Sequence, residues 1–239
     1  FFHYCANREE EMSDEHLDIK PIDSLQSSSL TEEAEIIKFQ NIAFSYYHKN
    51  NFDKSLEYFL KALGVQEFYY KNQVNKTTAD LLHNIGVNYS KLKYYYDSLD
   101  YYLKALNLRK ELYQNQDHSE LAQSLRYVGA AYYRAHIFTE ARDYFDQALK
   151  MRQNINASKE DLAESFNDLG VVYEKLGDYN QSIYNYEEAI KFYEEINSNK
   201  AVVIMRNIAV MYFSIKHDYE KSIEYFNKIL DLKEKIMSI

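Results

Sequence analysis

Glycine and proline are nearly missing, with 5 and 1 in 239 residues. Average usage would give about 17 and about 12. An all-β sandwich or barrel spends glycine and proline on most of its turns, so that class is excluded. No glycines cluster, which removes the loops that cradle phosphate in dinucleotide and P-loop sites. The single cysteine, Cys5, leaves no disulfide framework and no cysteine zinc site. It fits a reducing, cytoplasmic setting. No apolar run approaches the roughly 18 residues of a membrane-spanning helix. Basic residues are outnumbered, 28 against 37, for a net charge of −9. That disfavours non-specific binding to nucleic acid or to an anionic membrane. The chain opens on Phe1 with no basic stretch before an apolar run, so a signal peptide is not expected and a cut from a longer chain is. Tryptophan is absent, yet there are 25 Tyr and 13 Phe, which predicts a core built on aromatic rings.

What is present is a repeat. Asn-Ile-Ala-Phe-Ser-Tyr from Asn41 returns as Asn-Ile-Gly-Val-Asn-Tyr from Asn84. Related hexapeptides begin at Tyr127, Asp168 and Asn207. Each contains one small residue: Ala43, Gly86, Gly129, Gly170, Ala209, at spacings of 43, 43, 41 and 39. Four residues before it stands a large apolar one: Phe39, Leu82, Leu125, Phe166, Met205. Three after it stands Tyr46, Tyr89, Tyr132, Tyr173 or Tyr212. Further along come a second small residue (Ser55, Ser98, Ala141, Ser182, Ser222) and, four later, an aromatic (Phe59, Tyr102, Phe145, Tyr186, Phe226). Then comes Ala62, Ala105, Ala148 or Ala189, with Ile229 breaking the rule. Steps of 3, 4 and 7 are helical. Each unit is therefore two helices, A then B, with small residues where the backbones cross. One pair cannot bury its own apolar face, so units stack into a solenoid.

This order of large, small and Tyr on helix A, then small, aromatic and Ala on helix B, resembles the tetratricopeptide repeat (TPR) family. The resemblance runs from about Ile36 to Ile239 and covers five units. It implies an all-α, right-handed superhelical solenoid of five helix pairs. The period near 42 and the missing proline after helix B look more like the long repeats of the kinesin light chain type. Peptide-sensing regulators of Gram-positive bacteria have similar long repeats.

The expected organisation is an acidic arm at 1–32 and a repeat domain at 33–239. The units fall at about 36–72, 79–115, 119–155, 160–197 and 200–239. The arm holds eight acidic residues, two basic ones and the only proline, Pro21, which is a composition of flexible chain. Leu17 and Ile19 sit among its acids, so the arm is a candidate to occupy the groove in cis. Ser29-Leu-Thr-Glu32 reads as a capping box, and Asp117-His-Ser-Glu120 and Ser158-Lys-Glu-Asp161 as looser helix starts.

No catalytic constellation is present. The histidines are scattered, with no pair at metal-binding spacing. The expectation is therefore no enzyme, no cofactor and no metal. In the resembled family the concave face of the A helices commonly holds an extended peptide. The resemblance implies that role for Asn41, Asn84 and Asn207, whose amides can bind a peptide unit bidentately. Tyr127 and Asp168 interrupt that ladder. Three before each small residue stand Gln40, His83, Arg126, Asn167 and Arg206. Five after it stand His48, Lys91, Arg134, Lys175 and Ser214. None of these ten is acidic, so two rows facing the groove would make it basic, with Arg126 and Arg206 able to fork onto carboxylates. Tyr133 is a candidate exposed ring in the groove. The last helix is apolar on too many sides for a solenoid end, which points to a longer chain, a partner or self-association there.

Three readings follow. The first is a non-catalytic scaffold for an acidic or extended peptide, with no nucleic acid or membrane partner. The second is a peptide-sensing receptor whose effector domain lies elsewhere. The third is a structural module that assembles through its C-terminal end.

Overall fold

A computed structural model describes residues 28–71 and 73–237, as ten α-helices with no strand among the described residues. The A helices are α1 (Ser28–His48), α3 (Lys76–Lys91), α5 (Ser119–Arg134), α7 (Lys159–Leu176) and α9 (Lys200–Ser214). The B helices are α2 (Phe52–Tyr69), α4 (Tyr95–Leu112), α6 (Phe138–Asn154), α8 (Tyr179–Glu195) and α10 (Tyr219–Met237). Each helix packs on the one before and the one after it, as in a solenoid of five pairs. The short connections force neighbouring helices to run antiparallel. The first helix begins at Ser28, so residues 28–32 extend α1, and Ser29 lies within the helix instead of capping it. The rest of the acidic arm, Cys5 and the Leu17–Ile19 segment lie outside the described residues.

The turns repeat as closely as the helices. In the first four units helix A ends with a residue at positive φ: Asn50 (57°), Lys93 (68°), His136 (61°) and Gly177 (79°). The residue after each donates its backbone N–H to the carbonyl of the repeat tyrosine, for example Tyr94 to Tyr89 at 2.9 Å and Asp178 to Tyr173 at 3.0 Å. These are Schellman closures, in which the left-handed residue lets the chain reverse and satisfies the last carbonyls. Only Gly177 adopts that conformation without side-chain strain. Helix starts are capped by Asn51, Asn75, Ser158, Asp178 and Asp218. Before α5 the cap is His118, whose Nδ1 accepts from the Glu120 N–H, whereas Asp117 accepts from Asn154.

The repeat rows meet at the crossings. Gly86, Gly129 and Gly170 lie beneath the rings of Tyr102, Phe145 and Tyr186. Ser98, Ser182 and Ser222 donate their hydroxyls to the carbonyls of Gly86, Gly170 and Ala209 at 2.8, 2.8 and 2.9 Å. A small residue on helix B thus brings the helices close and also satisfies a buried carbonyl. The tyrosines have a second role. Tyr46, Tyr89, Tyr132 and Tyr212 stack on Tyr58, Tyr101, Tyr144 and Tyr225 at centroid distances of 5.4–5.9 Å. Ring stacking between A and B in four units accounts for much of the tyrosine excess. Phe226 departs from its row: its counterparts Phe59, Tyr102, Phe145 and Tyr186 are buried, but it is exposed, because no described helix covers that face of α10.

Candidate functional site

Side-chain links tie successive A helices along one wall of the solenoid. Arg126 of α5 reaches Asp168 of α7 (2.5 Å) and Glu164 (3.1 Å). Arg134 donates back to Ser90 of α3 at 3.0 Å. Lys76 of α3 pairs with Glu120 of α5, and Lys200 of α9 with Glu160 of α7. The ring of His83 on α3 meets Tyr127 of α5 edge-on at 4.5 Å. These links bring the A helices together along one shared face.

On that face each A helix presents a stripe at spacings of four. The stripes are Gln40-Phe44-His48, His83-Val87-Lys91, Arg126-Ala130-Arg134, Asn167-Val171-Lys175 and Arg206-Val210-Ser214. Read across the helices, the middle row is apolar: Phe44, Val87, Ala130, Val171 and Val210 are all exposed or half-buried. Beyond it the row His48, Lys91, Arg134, Lys175 is exposed and holds no acidic residue. It sits where the A helices end, so it also answers the negative end of each helix dipole. The apolar row was not singled out from the sequence, although its constant position just after the small residue was available.

The candidate residues divide by whether the protein already uses them. Asn41 and Arg206 are exposed, and Arg206 has no ion-pair partner among the described residues. Lys91 and Arg134 are exposed at the edge. Asn84, Asn167 and Asn207 are half-buried along the seam, where Asn207 lies within hydrogen-bonding reach of Tyr186. Arg126 is committed: its guanidinium is spent on Asp168 and Glu164 and not on open space. Burial works against its charge, but the two carboxylates outweigh that and hold its pKa above the usual arginine range. Burial also lifts Asp168 above the ordinary aspartate range, with Arg126 pulling it down. His83 is neutral at neutral pH, because burial and the nearby Arg109 cation lower its pKa to about 4. Tyr133 is half-buried and packs against Phe138 at the start of α6, at 5.5 Å, beside the core. The two rows nearest the small residues therefore meet one another across units, as Arg126–Asp168 and His83–Tyr127 show.

Two buried arginines carry the unit-to-unit joint and were missed, although their 43-residue spacing matches the repeat. Arg109 of α4 binds Asp80 and, in the next unit, Ser124, both at 2.6 Å. Arg152 of α6 binds the Asp161 carbonyl at 2.6 Å and Ser165 at 2.8 Å. A hollow of ≈ 700 Å³ lies away from the A-helix stripes, among α2, α3 and α4. Lys71, Lys104, Glu67 and Glu111 line it with both signs of charge. Among the described residues no cluster of three or more His, Cys, Asp or Glu could hold a metal ion. No described helix is long and apolar enough to cross a membrane.

A tetratricopeptide repeat family model matches residues 77–154, 120–195 and 161–235, and a second model of the same description matches residues 39–69. BtubC (BKLC) from P. vanneervenii has a similar structure at 13% identity and TM-score 0.70, over 88% of this chain and 91% of that one. A putative kinesin light chain from Podosopora anserina, with nearly identical TPR-like repeats, aligns at 11% identity and TM-score 0.70, over 84% and 95%. The apo form of RapI aligns at 15% identity and TM-score 0.72, over 85% of this chain and 55% of its own. At these identities the likeness is one of fold. No curated protein matches the sequence.

Proposed function

Because the chain belongs to the tetratricopeptide repeat family, we propose that it is a non-catalytic scaffold that holds a peptide or linear motif of another protein against its A helices. The observation that carries this reading is the pairing of two rows on the shared face of the A helices. An apolar row, Phe44 to Val210, runs beside an exposed row of His48 and the cations Lys91, Arg134 and Lys175. An extended peptide laid along the solenoid axis would bury small apolar side chains on the first row. Its carboxylates would face the second. The preferred ligand is acidic on one edge. The half-buried seam polar groups set the wall's shape, while Asn41, Arg206, Lys91 and Lys175 remain open to a ligand. Electrostatic attraction of this kind raises the on-rate and selects by charge more than it adds affinity.

The test is a fluorescence-anisotropy titration with acidic and basic peptide libraries at two salt concentrations. Acidic peptides should bind better, and Lys91→Glu/Lys175→Glu should erase that preference. A clear preference for basic peptides in the unmodified protein would refute the reading. The long repeat period, similar to that of peptide-sensing regulators, supports a second reading, a peptide-sensing receptor whose effector lies in another segment. That reading predicts tight binding of a short free peptide, whereas a scaffold takes its motif from a larger protein.

A further inference from the structure

The last B helix has an open face whose inner counterparts are covered. Ile183, Tyr186 and Ile190 of α8 lie beneath α9 and are 6%, 0% and 7% exposed. The residues in the same register on α10 are Ile223, Phe226 and Leu230, at 60%, 44% and 60%. Their spacing of 3 and 4 makes one continuous apolar stripe. The edge of that stripe away from α9 carries Glu220, Asn227, Asp231 and Glu234, all exposed. Glu220 has no ion-pair partner among the described residues. Three of the helix's lysines are placed elsewhere. Lys221 lies over the Tyr212 ring, and Lys228 over Tyr225 and against Glu224. Lys233 lies at the opposite edge.

Two copies of this chain do not cover that face well. Head-to-tail stacking would set the outer side of α1 on it. Where inner A helices bury Leu121, Ser124 and Ala131, or Ala201, Ile204 and Met211, α1 exposes Glu35, Lys38 and Ser45. Such stacking would bury charges on an apolar stripe. Two-fold packing of α10 on α10 does match the stripes, because the antiparallel partner brings Leu230 opposite Ile223. The same symmetry sets each acidic edge against its own copy, with Glu220 facing Glu234. Like charges so placed oppose association.

We propose that the open face of α10 is a docking site for an amphipathic helix of a partner protein whose apolar stripe is flanked by lysine or arginine. That helix takes the place a next helix A would take, antiparallel to α10, and extends the stacking interface already made between α8 and α9. The site is separate from the shared face of the A helices.

The test uses the 239-residue chain and a pair of synthetic helical peptides of about 20 residues. Both carry leucine and isoleucine at 3–4 spacing; one is flanked by lysine, the other by glutamate. In anisotropy titrations the lysine-flanked peptide should bind at least tenfold more tightly. Ile223→Ser/Leu230→Ser should abolish its binding while leaving the circular dichroism spectrum and melting temperature unchanged. Glu220→Lys/Asp231→Lys/Glu234→Lys should reverse the preference, and Lys91→Glu/Lys175→Glu should leave it intact. Equal binding of the two peptides, or binding that survives Ile223→Ser/Leu230→Ser, would overturn the proposal. So would sedimentation of the chain alone as a dimer that those same two substitutions dissolve.

Discussion

Replacing Gly170 by alanine adds one carbon to the α7–α8 crossing. A Cβ there would lie 2.4 Å from Cδ1 and 2.6 Å from Cε1 of Tyr186. Carbon atoms in good contact sit about 3.5–4.0 Å apart, so the ring or the helix must move by more than 1 Å. The ring is poorly placed to move: it is fully buried, and its hydroxyl donates to Glu174 at 3.2 Å. Overpacking of this kind costs about 1–3 kcal/mol. Against it stands the helix preference for alanine over glycine, about 1 kcal/mol. The expected net loss is about 0–2 kcal/mol, or up to roughly 8 °C in melting temperature for a chain of this size. Two other glycines supply the controls. At Gly64 in α2 an added Cβ meets nothing within 4 Å, so alanine should raise stability by up to about 1 kcal/mol. Gly177 is equally open but has φ +79°, so alanine should cost about 1–2 kcal/mol from backbone strain alone. The assay is thermal melting followed by circular dichroism for the three variants side by side. If Gly170→Ala melts with or above Gly64→Ala, steric closure at the crossing is not what fixes glycine there.

Three further expectations use the same measurements. Lys93 holds φ 68° with an exposed side chain, so Lys93→Gly should stabilise by about 0.5–1 kcal/mol, net of the entropy glycine adds to the unfolded chain; a lower melting temperature would count against strain in that turn. Arg126→Ala leaves Asp168 and Glu164 facing each other without a cation, and should cost about 2 kcal/mol, while Arg206→Ala should stay within about 0.5 kcal/mol; equal effects in urea melts would refute the seam. His83 has a folded pKa of about 4, below its ordinary value of 6.5. Between those values the unfolded chain binds the proton that the folded chain refuses, so stability falls as pH drops from about 6.5 towards 4, by no more than about 3 kcal/mol. Urea melts at pH 7 and pH 5 should show that loss, and His83→Gln should reduce it; identical slopes would place His83 in water.

The crossings, the five pairs and the turn at Gly177 follow from the sequence because they depend on local spacing. A helix of 3.6 residues per turn puts Phe39, Ala43 and Tyr46 on one side whatever surrounds them. A position that admits only a small side chain marks itself when it recurs at 43, 43, 41 and 39 residues. Side-chain partners are another matter. Arg126 and Arg206 hold the same place in their units, and the sequence treats them alike. One finds Asp168 and Glu164, 42 and 38 residues on, while the other has no ion-pair partner among the described residues, where no unit stacks beyond its own. Phe226 is likewise a core ring by its row and a surface ring in fact, since burial in a solenoid needs a neighbour on both sides. Local periodicity therefore determined which faces of each helix are apolar. Only the stacking of unit on unit decided which polar groups were consumed within the protein and which were left to a partner.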